Sequence, residues 1–306
     1  IFLADRELGQ VLRPDTTVTM GTPEFRSTVR INSVGLRGPE LGEKSRPRLL
    51  TIGDSFTLAL QVDEEDSFQA RLSEALDMEV LNAGVDGYGV HRALRMARRH
   101  VEQDQIDAVL LVLFLGNDIG DTAGFHHEGY PPMPELPSRL TRADRLFGWS
   151  ALYFHAVAWQ RARHARHDPR LSGQFKREAR IFRKGVDLGA EVAPTLEALA
   201  LFSQDCQSWG IPCRVALAPP SFVIDEQRAL ATFDTMGMPE VKLDLGAPAR
   251  LLLEQTPPEL QPFDLTPALA EANPEGPVYL RFDGHWTVRG HQVVGETLGA
   301  ELQNLR

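Results

Sequence analysis

The stretch 49-LLTIGDSFTLAL-60 runs from apolar residues straight into Gly53-Asp54-Ser55 and then back into apolar residues. Leu49 to Ile52 read as a strand buried on both faces, the kind that lines a parallel sheet. A strand that stops at a small polar corner has two readings. One is turn chemistry with a helix N-cap. The other is a serine carried to the mouth of a sheet, where it can react.

Working outward, short apolar runs alternate with segments of helical period, the pattern of strands and helices around a parallel sheet. The first strand is 48-RLLTIG-53, and Asp66/Ser67 offer an N-cap for a helix with Phe68, Leu72 and Leu76 inward. A second strand is read at 79–84, followed by a helix with Val90, Leu94, Ala97 and Val101 on one face. The continuous apolar run 107-DAVLLVLFLGND-118 reads as a central strand. A helix at 191–210, a strand at 213–220, a fifth strand at 277–286 and a closing helix with Val293, Val294 and Leu298 inward complete the series. Residues 1–47 read as an extended flank wrapping the core. Residues 48–306 form the main domain, with an insertion at about 119–190 of the length expected for a lid or binding element.

Composition bounds the function. The 306 residues carry a net charge of −10, which argues against a general nucleic-acid binder. Residues 161–184 depart from that balance with nine basic and two acidic side chains, a solvated face or a surface for anionic polymers or lipid headgroups. No apolar run approaches the ~20 residues of a membrane-spanning helix. The chain starts at Ile1 rather than Met, as expected of a trimmed or mature form from which a leader or anchor has been removed. Cys206 and Cys213 flank a Gly-Ile-Pro turn and suit either a local disulfide or two buried thiols. His126-His127-Glu128 and His164/His167 are read as solvated loop histidines, with no metal and no other cofactor expected.

The strand ends carry the chemistry. Gly53-Asp54-Ser55, Asn82-Ala83-Gly84, Gly116-Asn117-Asp118 and Asp283-Gly284-His285 each follow a predicted strand. In an open parallel sheet, the carboxyl ends of the strands share one edge, and ligands bind there. Singly, each triplet is turn chemistry; together they assemble an acyl-transfer site. Ser55 opens a helix, where negative charge is favoured, and serves as nucleophile. His285 is its base, oriented by Asp283. The Ser55 N–H, the Gly84 N–H and the Asn117 amide supply the oxyanion donors. Trp286 packs beside His285, and His291 is a packing or capping residue of the last helix.

These blocks resemble those of the SGNH (GDSL-like) hydrolase superfamily, with Ser55 in GDSFT, Gly84 in NAGVDGYG, Asn117 in LGND and His285 in DGHWT. The likeness runs from about Asn32 to the C-terminus and includes 31-INSVGLRGPE-40, a segment often found ahead of the serine block in exported members. It implies an α/β fold: a three-layer α/β/α, flavodoxin-like sandwich with a central parallel sheet. It also implies a serine-acyl mechanism without cofactor. The family's aspartate commonly lies three residues before the histidine, where this chain has Phe282; Asp283 stands at two. That spacing is similar to the D-x-H-W-T blocks of polysaccharide O-acetyltransferase and esterase branches. The expected function is therefore a serine esterase on acetyl or other acyl esters of a carbohydrate, acting outside the cytoplasm. An O-acyltransferase and a non-catalytic glycan- or lipid-binding module are the alternatives.

Overall fold

The computed structural model describes residues 1–124, 179–235, 242–281 and 283–305. The amino-terminal flank forms two antiparallel hairpins. β1 (Phe2–Asp5) pairs with β2 (Gly9–Leu12), and β3 (Thr16–Gly21) pairs with β4 (Arg26–Ile31). Exposure alternates along β4, with Ser27, Val29 and Ile31 inward, and Leu8, Leu12 and Leu36 join the core beside them.

The central sheet begins with β5 (Arg48–Gly53), every residue of which is buried. A single helical turn follows, α1 (Ser55–Leu58), then α2 (Phe68–Leu76) with Ser67 as its N-cap. β6 (Glu79–Asn82), α3 (Val90–His100), β7 (Ala108–Phe114) and α4 (Asp118–Gly124) continue the alternation. After a short 3₁₀ turn at Ala179–Phe182 come α5 (Leu188–Trp209), β8 (Cys213–Ala218), α6 (Glu226–Thr235) and α7 (Ala247–Gln255). β9 (Phe263–Asp264), α8 (Thr266–Ala272) and α9 (Val288–Glu301) close the fold. The strand order is β6-β5-β7-β8-β9, and every neighbouring pair is parallel.

Period-two alternation splits the core into two halves, one on each face of the sheet. Leu50, Ile52, Val109, Leu111, Leu113, Val215 and Leu217 face α3 and α5. Leu49, Ala108, Leu110, Val112, Ala216 and Ala218 face α2 and α9, meeting Phe68, Leu72, Val294 and Leu298. Each fully buried Leu, Ile or Val contributes about 1.5–3 kcal/mol, so the sandwich is held chiefly by these two layers. The expected three-layer α/β/α architecture is the observed one.

One expected strand is corrected. Residues 277–286 do not join the sheet; the fifth strand is the two-residue β9, paired with Ala216 and Leu217. Val278 to Leu280 instead turn back on themselves, with a Tyr279–Trp286 bridge and hydrogen bonds from Leu280 N to His285 O (2.8 Å) and from Thr287 N to Val278 O (3.0 Å). The consecutive buried residues Val278, Tyr279 and Leu280 mimic a core strand, but they belong to a hairpin laid against the sheet.

Cys206 and Cys213 form a disulfide that ties the last turn of α5 to the start of β8. Among the described residues, no helix is long and apolar enough to cross a membrane, and no group of three or more His, Cys, Asp or Glu could hold a metal ion. The proline-rich stretch of the insertion, most of the basic segment 161–184, and His126, His127, Glu128, His164 and His167 lie outside the described residues.

Candidate active site

The order β6-β5-β7 contains the switch point of the topology. The chain leaves β5 for β6 on one side and returns to β7 on the other, so the connections after β5 and β7 diverge and open a crevice. Ser55 follows β5 and Asn117 follows β7, and both line a cavity of about 910 Å³ at that point. Asp86 and Gly87 after β6, and Pro220, Ser221 and Phe222 after β8, complete the rim contributed by the sheet.

Ser55 is reached through a sharp corner. Asp54, fully buried, accepts the Phe56 N–H (2.9 Å) and caps α1. The helix that Ser55 opens is one turn long and ends at Ala59 in the left-handed region (φ 59°). The placement of Ser55 therefore depends on the corner and on what packs beneath it. Phe56 does that packing: its ring stacks on Phe114 (4.0 Å between centroids) and touches His285 (4.7 Å) and Trp286 (4.9 Å).

The hairpin at 278–287 brings the other half of the site. His285 Nε2 lies 2.8 Å from Ser55 Oγ, and His285 Nδ1 lies 2.6 Å from Asp283 Oδ1. Asp283 Oδ1 also accepts the His285 N–H (3.3 Å), so the two-residue spacing curls the carboxylate back under its own histidine. The Tyr279 hydroxyl donates to Pro219 O (2.5 Å) and pins the hairpin to the end of β8. Trp286 is fully buried beside the site, between Phe56 and Phe68. His291 is buried too, stacked on Phe68 and accepting the Phe68 N–H at the start of α2 (3.4 Å), and burial pulls its pKa down to about 3.

Electrostatics bias the pair toward an ion pair. Burial alone would lower the His285 pKa, but Asp283, Asp54 and Asp86 outweigh it and raise it above the ordinary 6.5. For Asp283, burial acts to raise the pKa; the hydrogen bonds from His285 and Gln61 and the His285 charge prevail and lower it. Behind the serine sits a carboxyl cluster that sequence reading did not single out. Burial pushes Asp54 up to about 7 and Asp118 well above its usual range, and the neighbouring Asp54 charge raises Asp118 further. Asp118 Oδ2 accepts the Phe114 N–H (2.8 Å), so this pair joins the corner after β5 to the end of β7.

The expected oxyanion donors fare differently. Asn117 lines the cavity, with its amide nitrogen 2.7 Å from Asp121 Oδ2 and 3.3 Å from Asp118 Oδ1. Gly84 is corrected: its N–H donates to Asn82 Oδ1 (3.0 Å), and it is absent from the cavity wall. A Cβ at Gly84 would fall well inside contact distance of Thr57 C and Leu58 N, so close packing against α1 requires glycine there. The glycine of that block in the cavity wall is Gly87, at φ +70° in the turn closed by Tyr88 N to Val85 O (3.2 Å). Arg92 bonds to Gly87 O while its guanidinium lies over the Tyr88 ring, which fixes the turn. The Asp86-Gly87 dipeptide, a turn signal, was the available clue.

No family model matches the chain, and no curated protein matches it. Among solved structures, the lipase/acylhydrolase from Enterococcus faecalis is 14% identical with a TM-score of 0.42, the overlap covering 84% of this chain and 95% of that chain. A member of the lipolytic protein G-D-S-L family from Veillonella parvula is 11% identical with a TM-score of 0.43, covering 84% and 98%. An acetylxylan esterase from Geobacillus stearothermophilus is 14% identical with a TM-score of 0.42, covering 85% and 94%. The chain is similar to these proteins, at a level too low for activity or substrate to be carried across.

Proposed function

We propose that the protein is a serine esterase of the SGNH type, cleaving acyl esters, acetyl above all, borne by a carbohydrate. The observation that carries this reading is the unbroken path from Ser55 Oγ to His285 Nε2 (2.8 Å) and from His285 Nδ1 to Asp283 (2.6 Å), opening into a cavity at the sheet's switch point. Ser55 Oγ attacks the ester carbonyl while His285 takes its proton, and Asp283 stabilises the imidazolium. The oxyanion receives the N–H groups of Ser55 and Gly87 and one N–H of Asn117. Asp121 holds the Asn117 amide at 2.7 Å, and the contact of the same amide with Asp118 is the longer one at 3.3 Å, which leaves that N–H the easier to redirect. Collapse expels the alcohol, which leaves with the proton from His285. Water, deprotonated by His285, then cleaves the acyl-serine and releases the acid.

Asp86, Asp121, Ser221 and Thr232 in the cavity wall supply hydrogen-bonding groups suited to a hydroxyl-rich alcohol, while Phe56, Phe114, Ile119, Ile181 and Phe222 supply apolar surface for an acyl group. The disulfide supports a site of action outside the cytoplasm, because such bonds persist in oxidising compartments. A fluorophosphonate tests the nucleophile directly: it labels Ser55 in the wild type and not in Ser55→Ala. Acetylated xylan, with and without a glycan acceptor, tests the reaction. Free acetate as the main product supports the esterase. Acetyl groups moved to the acceptor make it an O-acyltransferase. Absence of both labelling and turnover overturns the reading in favour of a non-catalytic glycan- or lipid-binding module.

A further inference from the structure

The flank that the sequence sets apart from the main domain reaches the site. At the β3–β4 turn, the Thr22 N–H donates to Phe25 O (2.9 Å) and the Glu24 N–H to Thr22 Oγ1 (3.2 Å), which fixes Glu24 at the tip. From there, Glu24 Oε1 accepts the Arg281 N–H (2.7 Å) and Oε2 accepts the Asp283 N–H (2.9 Å). One carboxylate thus takes two backbone N–H groups of the turn that carries Asp283.

The same flank grips the nucleophile's side. Arg37, buried, donates to the carbonyls of Leu58 (2.6 Å), Ala59 and Val62 (2.6 Å), while Ser27 Oγ donates to Leu60 O (2.5 Å) and Asp63 Oδ1 accepts the Thr28 N–H (2.6 Å). Between those anchors, Gln61 lies near the Asp283 carboxylate and helps to hold its pKa down.

We propose that Glu24 is a positioning residue of the triad: by taking the N–H groups of Arg281 and Asp283, it sets the Asp283 carboxylate at the angle from which two-residue spacing still reaches His285. The inference rests on the esterase reading for its activity arm. It explains how a hairpin tip joined to the sheet by few backbone bonds holds a catalytic carboxylate steady. The shorter spacing leaves the tip's outer N–H groups without a strand partner, and Glu24 replaces that partner.

The test uses the full chain as wild type, Glu24→Ala and Glu24→Gln. Glu24→Ala is expected to lower kcat by about 30-fold with KM nearly unchanged, within the range of up to ~100-fold that a misplacement near 1 Å costs. Fluorophosphonate labelling of Ser55 slows in parallel. The acid limb of the pH profile moves to lower pH, because His285 loses its carboxylate. The low-field proton resonance of His285 Nδ1–H weakens or disappears. Glu24→Gln, which keeps one acceptor, recovers part of each effect. Wild-type kcat, pH limb and resonance in Glu24→Ala overturn the proposal, as does lost activity with an unshifted limb and an intact resonance. Should Glu24→Ala not fold, Glu24→Gln is read on the same measures. A wild type that neither labels nor turns over refutes the esterase reading alone, and the resonance still decides on Glu24.

Discussion

The carboxyl edge of the sheet and the hairpin at 278–287 each deliver half of the proposed catalytic residues, and they hold them by different means. Ser55 and Asn117 leave strands that are buried on both faces and hydrogen-bonded on both sides. Asp283 and His285 sit at a tip secured by two backbone bonds, the Tyr279 hydroxyl, the Phe56 ring and the Glu24 carboxylate. The sheet's half is fixed by local sequence and layer packing. The hairpin's half is fixed by side chains from elsewhere in the chain. Loss of Ser55 or His285 should remove chemistry outright, whereas loosening the side chains that anchor the hairpin should detune it.

The largest expected effect breaks the sheet's half. Ser55→Ala lowers turnover by about 10⁴- to 10⁶-fold, and Ser55→Ala with His285→Ala loses no more than either alone, because the residues act as a unit. Steady-state kinetics of the singles and the double decide it; additive losses would mean that the two halves work separately. Asp283→Asn strikes the hairpin's half and costs about 10³- to 10⁴-fold in kcat. It also carries a pH signature. Only neutral His285 accepts a proton, so kcat/KM rises with pH through a limb that Asp283 helps hold above 6.5. In Asp283→Asn that limb shifts down, and an unmoved limb would remove Asp283 from the triad.

A smaller pair of changes separates packing from site on the sheet side. Gly84→Ala forces a Cβ onto the backbone at Thr57 and Leu58 and destabilises by roughly 3 kcal/mol. Gly87→Ala meets no atom within 4 Å but must hold φ +70°, which costs about 1–2 kcal/mol. Its main effect is on kcat, since it re-aims a cavity-wall N–H. Denaturant melts beside kinetics distinguish them, and the reverse pattern would restore Gly84 as the donor. Smallest is the disulfide, remote from both halves. Cys206→Ser with Cys213→Ser lowers stability by about 2 kcal/mol, the closure entropy of so short a loop, and leaves kcat unchanged.

The same contrast explains what could be read from the chain. β5 and β7 were legible because strands buried on both faces are continuous apolar runs that end abruptly in GDS and GND. β9 was not, since two residues, Phe263 and Asp264, carry no period. The hairpin passed for a strand because Val278 and Tyr279 are buried in the half-core they share with Phe56, α9 and one face of the sheet, without pairing to a sheet strand. Gly84 and Gly87 are three residues apart, and only the Asn82 side chain tells which N–H is already engaged. Asp118 and Asp121 look like ordinary loop acids until burial and the neighbouring Asp54 are seen. Glu24 meets Asp283 across 259 positions, a contact with no local trace.

The 230 positions between Ser55 and His285 also impose an order on biosynthesis. At about 5–20 residues per second, Ser55 leaves the ribosome roughly 10–50 s before His285 exists. During that interval, β5 and its neighbours can pair, but α2 still lacks α9, the helix that follows the hairpin and docks on it. The nascent chain thus carries Ser55 without its hydrogen-bond partner. If the protein is the esterase proposed above, its chemistry waits until the segment beyond β9 has been made and docked, and a chain clipped there would keep its sheet while staying silent toward esters.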